Sequence, residues 1–302
     1  MIVRWGLGEL PQVLDELQIE RPLLVASPRW DDLLEFAHRW TEIPSHRIDV
    51  PEGVDGILAV GGGSAIDTAK AASSGSGLPL VSVPTTYSGA EWTPFYGVRS
   101  PDRRIVGGGA GAHLAGIVYE PELTFDLPSP ETGGTAMNAL AHCVEALYPG
   151  DLEEARRGAA GIEAWLPRVL EDLHDREARV QLLEAARYAG EALAKHGLYL
   201  GHAMAQALGG RYGLPHGALN SICLPAAMRF NASVVPDAIE AVPIETVEEL
   251  GRLTGFTRLR DLGVPGDELD DVAEATAGRA GARANPRPAS PAEIAELYRS
   301  VW

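Results

Sequence analysis

Residues 55–70 read DGILAVGGGSAIDTAK, and the fold turns on how they are read. Ile57, Leu58, Ala59 and Val60 form a short apolar run of the kind that makes a buried strand; Gly61, Gly62 and Gly63 let the chain turn sharply; Ser64 to Lys70 has the pattern of the first turns of a helix. Strand, glycine turn and helix start together make a seat for a phosphate group. The first turn of a helix carries free N–H groups and a partial positive charge, and residues without side chains let an anion approach them. The stretch matches neither the GxGxxG fingerprint nor a Walker loop. A glycine-rich turn between strand and helix also serves plain packing, and that alternative stands beside the first.

Working outward, Leu10 to Leu17 shows helical spacing, Pro22 to Ala26 reads as a strand and Asp31 to Trp40 as a further helix. After the glycine turn comes a second apolar strand, Pro79 to Val83, running into PTTYSGAE at 84–91. Strand, helix and strand in alternation predict a parallel sheet with ligands at the carboxyl ends of its strands. Three loops then share one edge: Ser27 to Arg29, Gly61 to Ser64, and Thr85 to Ser88. Pro101 to His113 is charged, then glycine-rich with no helix after it, and reads as a hairpin turn or mobile loop. Leu114 to Tyr119 gives one more strand. From Glu131 the pattern is helical almost throughout, in segments 131–148, 152–173, 176–210 and 216–231, with a last amphipathic helix over 292–301. The expected organisation is an α/β domain over 1–128 and an all-helical domain over 129–302.

A chain of 302 residues, 45% hydrophobic and 22% charged, has the make-up of a globular protein large enough for two cores. A formal charge of −17 repels nucleic acid and anionic membrane surfaces, and no Lys/Arg-rich run offsets it, so neither is expected as a partner. The two cysteines, Cys143 and Cys223, sit in apolar segments without CxxC spacing, as small core residues of a reducing compartment do. With no secretory leader pattern and no apolar run of membrane-spanning length, a cytoplasmic location is expected.

Two helical segments place polar side chains within apolar faces. In TAMNALAHCVE (135–145) Asn138 and His142 lie four apart, on one side of a helix; in LGHAMAQ (200–206) His202 and Gln206 repeat the spacing; His216 follows where a new helix should begin. Such imidazoles are either satisfied core residues or a metal or proton-transfer site facing the phosphate loop across a cleft between the domains.

The motifs GGGSAIDTAK, VPTTYSGAEWTP, YEPELT, TAMNALAHCVEALY, GHAMAQALGGRYGLPHG with ICLP, and LRDLGVP with NPRP resemble, in order and nearly end to end, the iron-containing alcohol dehydrogenase family. Asn138 and the PTTYSGAE segment look most like its maleylacetate reductases. The resemblance implies a dinucleotide-binding α/β domain, an all-helical domain, a homodimer and hydride transfer between a nicotinamide cofactor and a small-molecule substrate. Carried over by position, Gly62, Gly63 and Ser64 would hold the pyrophosphate, with Asp67 near the cofactor and Thr85, Thr86 and Ser88 lining the nicotinamide. Metal-dependent members bind iron or zinc with an aspartate and three histidines; the matching positions are Asn138, His142, His202 and His216. An amide oxygen is a neutral, weaker ligand than a carboxylate. Gln206 stands where many members have a further histidine, and the lysine often found after the threonine loop has no clear equivalent, although Arg103 and Arg104 are near in sequence. The chain is also shorter than usual for the family, between Trp40 and Asp55 and around 230–260.

These departures lead to the expectation of an NADH- or NADPH-dependent reductase of a small carbonyl or keto acid, working without metal. A protonated His202 or His216 would then stabilise the developing oxyanion and donate the proton, with His142 and Asn138 beside them. Lys195, His196 and Arg211 are candidates for holding an anionic substrate, or are plain helix-end charges. Ser27, with Arg29 close by, replaces the acidic residue of NAD-selective members, so NADPH is expected to serve at least as well as NADH. A metal-dependent alcohol dehydrogenase, and a member that has lost catalysis but keeps the fold, are the alternatives.

Overall fold

Along the strands of the N-terminal part, alternate side chains sort into two apolar layers, which is what a sheet buried on both faces requires. The computed structural model describes residues 1–45, 48–100 and 105–302, and the chain forms two units, Met1–Asp126 and Leu127–Trp302.

The first unit contains strands β1 (Ile2–Trp5), β2 (Pro22–Ala26), β3 (His38–Trp40), β4 (Gly56–Gly61), β5 (Pro79–Pro84), β6 (Tyr96–Arg99), β7 (Ile105–Gly109) and β8 (His113–Tyr119), with helices α1 (Leu10–Glu16) and α2 (Gly63–Ser76). Among the described residues, six strands form one parallel sheet in the order β1-β8-β5-β4-β2-β3. Leu24, Ala26, Leu58, Val60, Val81 and Val83 point to the face covered by Leu10, Val13 and Leu14 of α1. Leu23, Val25, Ile57, Ala59 and Leu80 point to the other face, covered by Ile66, Ala69 and Ala72 of α2. Each fully buried Leu, Ile or Val contributes roughly 1.5–3 kcal/mol, so these two layers hold the sheet edge that carries the loops.

Three features differ from the sequence reading. The helix expected over 31–40 does not form: Leu33, Leu34 and Phe36 pack on the α1 side of the sheet, and His38–Trp40 becomes an edge strand beside β2. Strand β1, four residues of mixed polarity, adds an edge at β8. Within the stretch read as a hairpin turn or mobile loop, Ile105–Gly109 is a strand paired antiparallel with β6; Arg103 and Arg104 lie outside the described residues.

The second unit is helical: α3 (Ser129–Ala146), α4 (Glu153–Glu171), α5 (Arg176–His196), α6 (Leu200–Tyr212), α7 (His216–Asn231), α8 (Pro236–Ala241), α9 (Ile244–Leu253), α10 (Leu269–Ala277), α11 (Ala280–Arg283) and α12 (Pro291–Ser300). The central helix α3 packs against α4, α5 and α7, and α7 packs on α6. The segment 176–210, read as one helix, is two. Gly197 ends α5 with φ 75°, and the new start at α6 is capped by side chains far away in sequence, Glu145 and Asn285. Helix α12 begins with a capping box between Ser290 and Glu293. No described helix is long and apolar enough to cross a membrane.

Candidate functional site

In the first unit, the carboxyl ends of β4 and β5 converge because their loops are tied together. The N–H of Thr85 donates to the carbonyl of Gly61 at 3.1 Å. A Cβ on Gly62 would lie 2.7 Å from Cγ2 of Thr86, so only glycine lets the turn come this close. One on Gly63 would lie 3.5 Å from Oγ of Ser88. Gly62 occupies the N-cap of α2 without a side-chain cap; its carbonyl accepts from the N–H of Ala65 at 3.0 Å, and the amides of Gly63 and Ser64 ahead of it are left uncapped. Beside it, Oγ1 of Thr86 is buried with no hydrogen-bond partner. A partnerless buried hydroxyl next to uncapped helix amides is the chemistry of a site for an anionic, hydrogen-bonding ligand, and a dinucleotide pyrophosphate fits it.

The remaining predicted residues of this unit fall at different depths. Ser64 is exposed on the first turn and Thr85 is buried. Ser27 follows β2 at the same edge, since Ala26 is in register with Val60. Arg29, close behind it, pairs with Asp126 at 3.7 Å on the surface. Asp67 is engaged elsewhere: it lies 3.4 Å from Nζ of the buried Lys70 and accepts from the N–H of Gly97 at 3.3 Å. Lys70 also donates to Thr93 and to the carbonyl of Phe95, so this ion pair fastens the β6–β7 hairpin to α2.

In the second unit, α3 and α7 cross at a distance that two glycines permit. A Cβ on Gly217 would sit 2.2 Å from the carbonyl oxygen of Gly134. One turn further along α3 stands Asn138, and one turn beyond that His142; both are buried, as is His202 on α6, while His216 at the start of α7 is half-buried. The rings of His142 and His202 stack with centroids 4.8 Å apart, and those of His202 and His216 are 5.7 Å apart and tilted. The four residues singled out in the sequence therefore form one cluster, whereas Gln206 lies a turn further along α6.

Two residues that sequence reasoning passed over organise this cluster. Glu145, fully buried on α3, accepts from Nδ1 of His202 at 2.7 Å, from the N–H of Tyr199 at 2.7 Å and from the N–H of His202 at 3.2 Å. It caps α6 and orients the imidazole at the same time. With the proton on Nδ1 directed at the carboxylate, Nε2 of His202 is the free lone pair, and it is buried with no partner. Asn220 is the second: its Nδ2 donates to Oδ1 of Asn138 at 2.6 Å and to Nε2 of His216 at 3.0 Å. The signals were local, since Glu145 is three residues after His142 and Asn220 four after His216. Burial, then the neighbouring His202 and His216, hold the His142 imidazole well below the ordinary histidine range, so it is neutral.

The donor set does not fit a divalent cation. No carboxylate is among the four side chains, and Glu145, the acid of the cluster, is committed to three N–H groups. Two of the four candidate donor atoms, Oδ1 of Asn138 and Nε2 of His216, already receive N–H groups of Asn220. Among the described residues no group of three or more His, Cys, Asp or Glu side chains is arranged to hold a metal ion.

The cations proposed for an anionic substrate are paired at the surface: Lys195 with Glu154 at 2.9 Å, and Arg211 with Glu268 and Asp271. His196 is exposed at the end of α5. They are helix-end charges.

Residues 132–302 match the profile of the Fe-containing alcohol dehydrogenase family, C-terminal part, and residues 48–109 that of iron-containing alcohol dehydrogenase. Maleylacetate reductase of Pseudomonas sp. (strain P51) is 30% identical over 99% of this chain and 95% of its own. Maleylacetate reductase 1 of Rhodococcus opacus is 34% identical over 82% of this chain and 73% of its own. The crystal structure of maleylacetate reductase from Rhizobium sp. strain MTP-10005 superposes with a TM-score of 0.87 at 25% identity, covering 100% of this chain and 95% of that one.

Proposed function

The chain belongs to the iron-containing alcohol dehydrogenase family, whose members are oxidoreductases, and from that premise we propose that it is an NADPH- or NADH-dependent reductase of a small keto acid of the maleylacetate kind, working without a metal ion. The observation that carries this reading is the buried, partnerless Nε2 of His202, an imidazole whose other nitrogen is held by Glu145. A buried lone pair left open is tolerated where a ligand completes it.

Reduction of a carbonyl needs a hydride on carbon and a proton on oxygen. When bound, the reduced nicotinamide supplies the hydride. The α2 amides, Gly62, Gly63 and the Thr86 hydroxyl bind and orient that cofactor's phosphate and nicotinamide ends. His202 takes up a proton at the open Nε2 before the chemical step: the Glu145 carboxylate on Nδ1 stabilises that imidazolium, which attracts the growing negative charge on the carbonyl oxygen, gives up the Nε2 proton to it and returns to the neutral Nδ1–H form. His142, neutral and stacked on His202, adds no competing charge.

The test is steady-state reduction of maleylacetate and related small keto acids with NADPH and NADH, comparing wild type with His202→Gln. A fall in kcat on the order of 100-fold or more, with cofactor KM little changed, is expected for loss of a general acid. Full turnover in His202→Gln overturns the assignment.

A further inference from the structure

We propose that Asn220 is a positioning residue of this site, its carboxamide joining Asn138 to His216 and fixing both for catalysis. The inference rests on the reductase reading for its catalytic part and on geometry alone for the rest.

Asn220 lies one helical turn after His216 on α7, so the two side chains rise on the same face, and the glycine crossing of α3 with α7 brings Asn138 across from them. Its amino group has two hydrogens and meets two acceptors, Oδ1 of Asn138 at 2.6 Å and Nε2 of His216 at 3.0 Å. The match decides two things. His216 receives a hydrogen at Nε2, so its neutral ring carries its proton on Nδ1. Asn138 receives one at its oxygen, so its amide is turned with the carbonyl toward Asn220 and its own amino group away.

The orientations of Asn220 and Asn138 are set as a pair, amino group to carbonyl. Oδ1 of Asn220 is buried with no partner, and turning this amide over by itself would set that oxygen against the oxygen of Asn138. The side chain is fully buried. A buried amide that leaves one atom unpaired while satisfying two neighbours acts through those neighbours. Two helices are thereby joined at the site by a hydrogen-bonded bridge, and His202, the proposed acid, stands 5.7 Å from His216 between ring centroids, so a shift of His216 changes the wall against which the substrate is held.

Asn220→Asp tests this with almost no change of shape, because a carboxylate offers no N–H to either acceptor. With uniformly 15N-labelled histidine at mildly alkaline pH, wild-type His216 is expected as the Nδ1–H tautomer with a hydrogen-bonded Nε2. In Asn220→Asp it is expected to move to the Nε2–H tautomer, donating to the new carboxylate. kcat should fall on the order of 100-fold, as for a reacting group held out of place, with cofactor KM unchanged. Asn220→Ser, with a single O–H donor and less bulk, should give a mixed tautomer population and an intermediate kcat, and it carries the test if the aspartate variant does not fold. An unchanged His216 tautomer in the variant overturns the proposal, as does an altered tautomer with wild-type kcat. Failure of the reductase reading shows up separately, as wild type that reduces none of the keto acids, because the tautomer measurement needs no substrate.

Discussion

Nδ1 of His202 lies 2.7 Å from Oε2 of Glu145, and neither side chain is exposed to solvent. One carboxylate thus starts helix α6 and sets the tautomer of the histidine three residues into it, so the fold of the second unit and its chemistry share a residue. Glu145→Gln leaves a single oxygen for three N–H donors and turns an amino group on one of them. It should lower kcat on the order of 100-fold and cost about 1–3 kcal/mol in urea unfolding. Glu145→Asp, which keeps the charge, should recover part of both. A glutamine variant with wild-type kcat would remove the carboxylate from the mechanism.

The turn in the first unit yields a paired prediction. Gly62→Ala drives a methyl to 2.7 Å from Cγ2 of Thr86, an overpacking expected to cost about 1–3 kcal/mol and to weaken cofactor binding. Thr86→Ser removes that Cγ2 while keeping the hydroxyl. The double variant should therefore recover most of the lost stability, read from thermal unfolding, and part of the affinity, read from cofactor titration with the half-buried Trp92 as reporter. Additive losses in the double variant would show that the two side chains do not meet.

Ser27, at the end of β2, offers no charge against a 2′-phosphate. NADPH is accordingly expected to be used at least as well as NADH, and Ser27→Asp should shift the preference toward NADH through repulsion. A wild-type preference for NADH above ~100-fold in kcat/KM, equivalent to ~2.7 kcal/mol, contradicts this.

Glu91 gives a pH signature. It is buried, accepts from the Tyr119 hydroxyl at 2.9 Å, and has its second oxygen unpaired; burial pushes its carboxyl above the ordinary value of 4.5. A group whose folded pKa is raised stabilises fully below its unfolded pKa and loses that contribution as pH rises through the folded one. Stability should fall across the window above about pH 4.5, and Glu91→Gln should flatten that slope. Lys70 works in the opposite sense, since burial lowers its pKa and stability rises with pH from that lowered value up to the ordinary 10.5. Urea midpoints against pH for wild type and Glu91→Gln separate the two; identical slopes would exclude Glu91.

The cysteines extend the core reading. Cys143 and Cys223 are buried, and desolvation pushes both thiols far up, so neither should react with a thiol reagent until the chain unfolds. Labelling of either in native protein would contradict the packing described.

Much of this was legible from local pattern. The apolar run 57–60, its glycine turn and the 79–83 strand announce a parallel sheet, and the four-residue spacing of Asn138 with His142 announces one helix face. What was hidden depends on distance in sequence. Asp31 to Trp40 has helical spacing, yet its apolar residues find more to bury against the α1 side of the sheet, and the chain follows them. The break inside 176–210 is made by Glu145 and Asn285, 54 and 85 residues from the N–H groups they receive. Asn220 was visible one turn after His216, but its two acceptors become evident only when Gly134 and Gly217 let their helices touch.

The most direct test of the central claim is metal analysis of the active enzyme, combined with turnover before and after dialysis against a chelator. Full keto-acid reduction with no stoichiometric iron or zinc, unchanged by the chelator, is the predicted result. Activity that disappears on chelation and returns with one ion per chain would contradict the account.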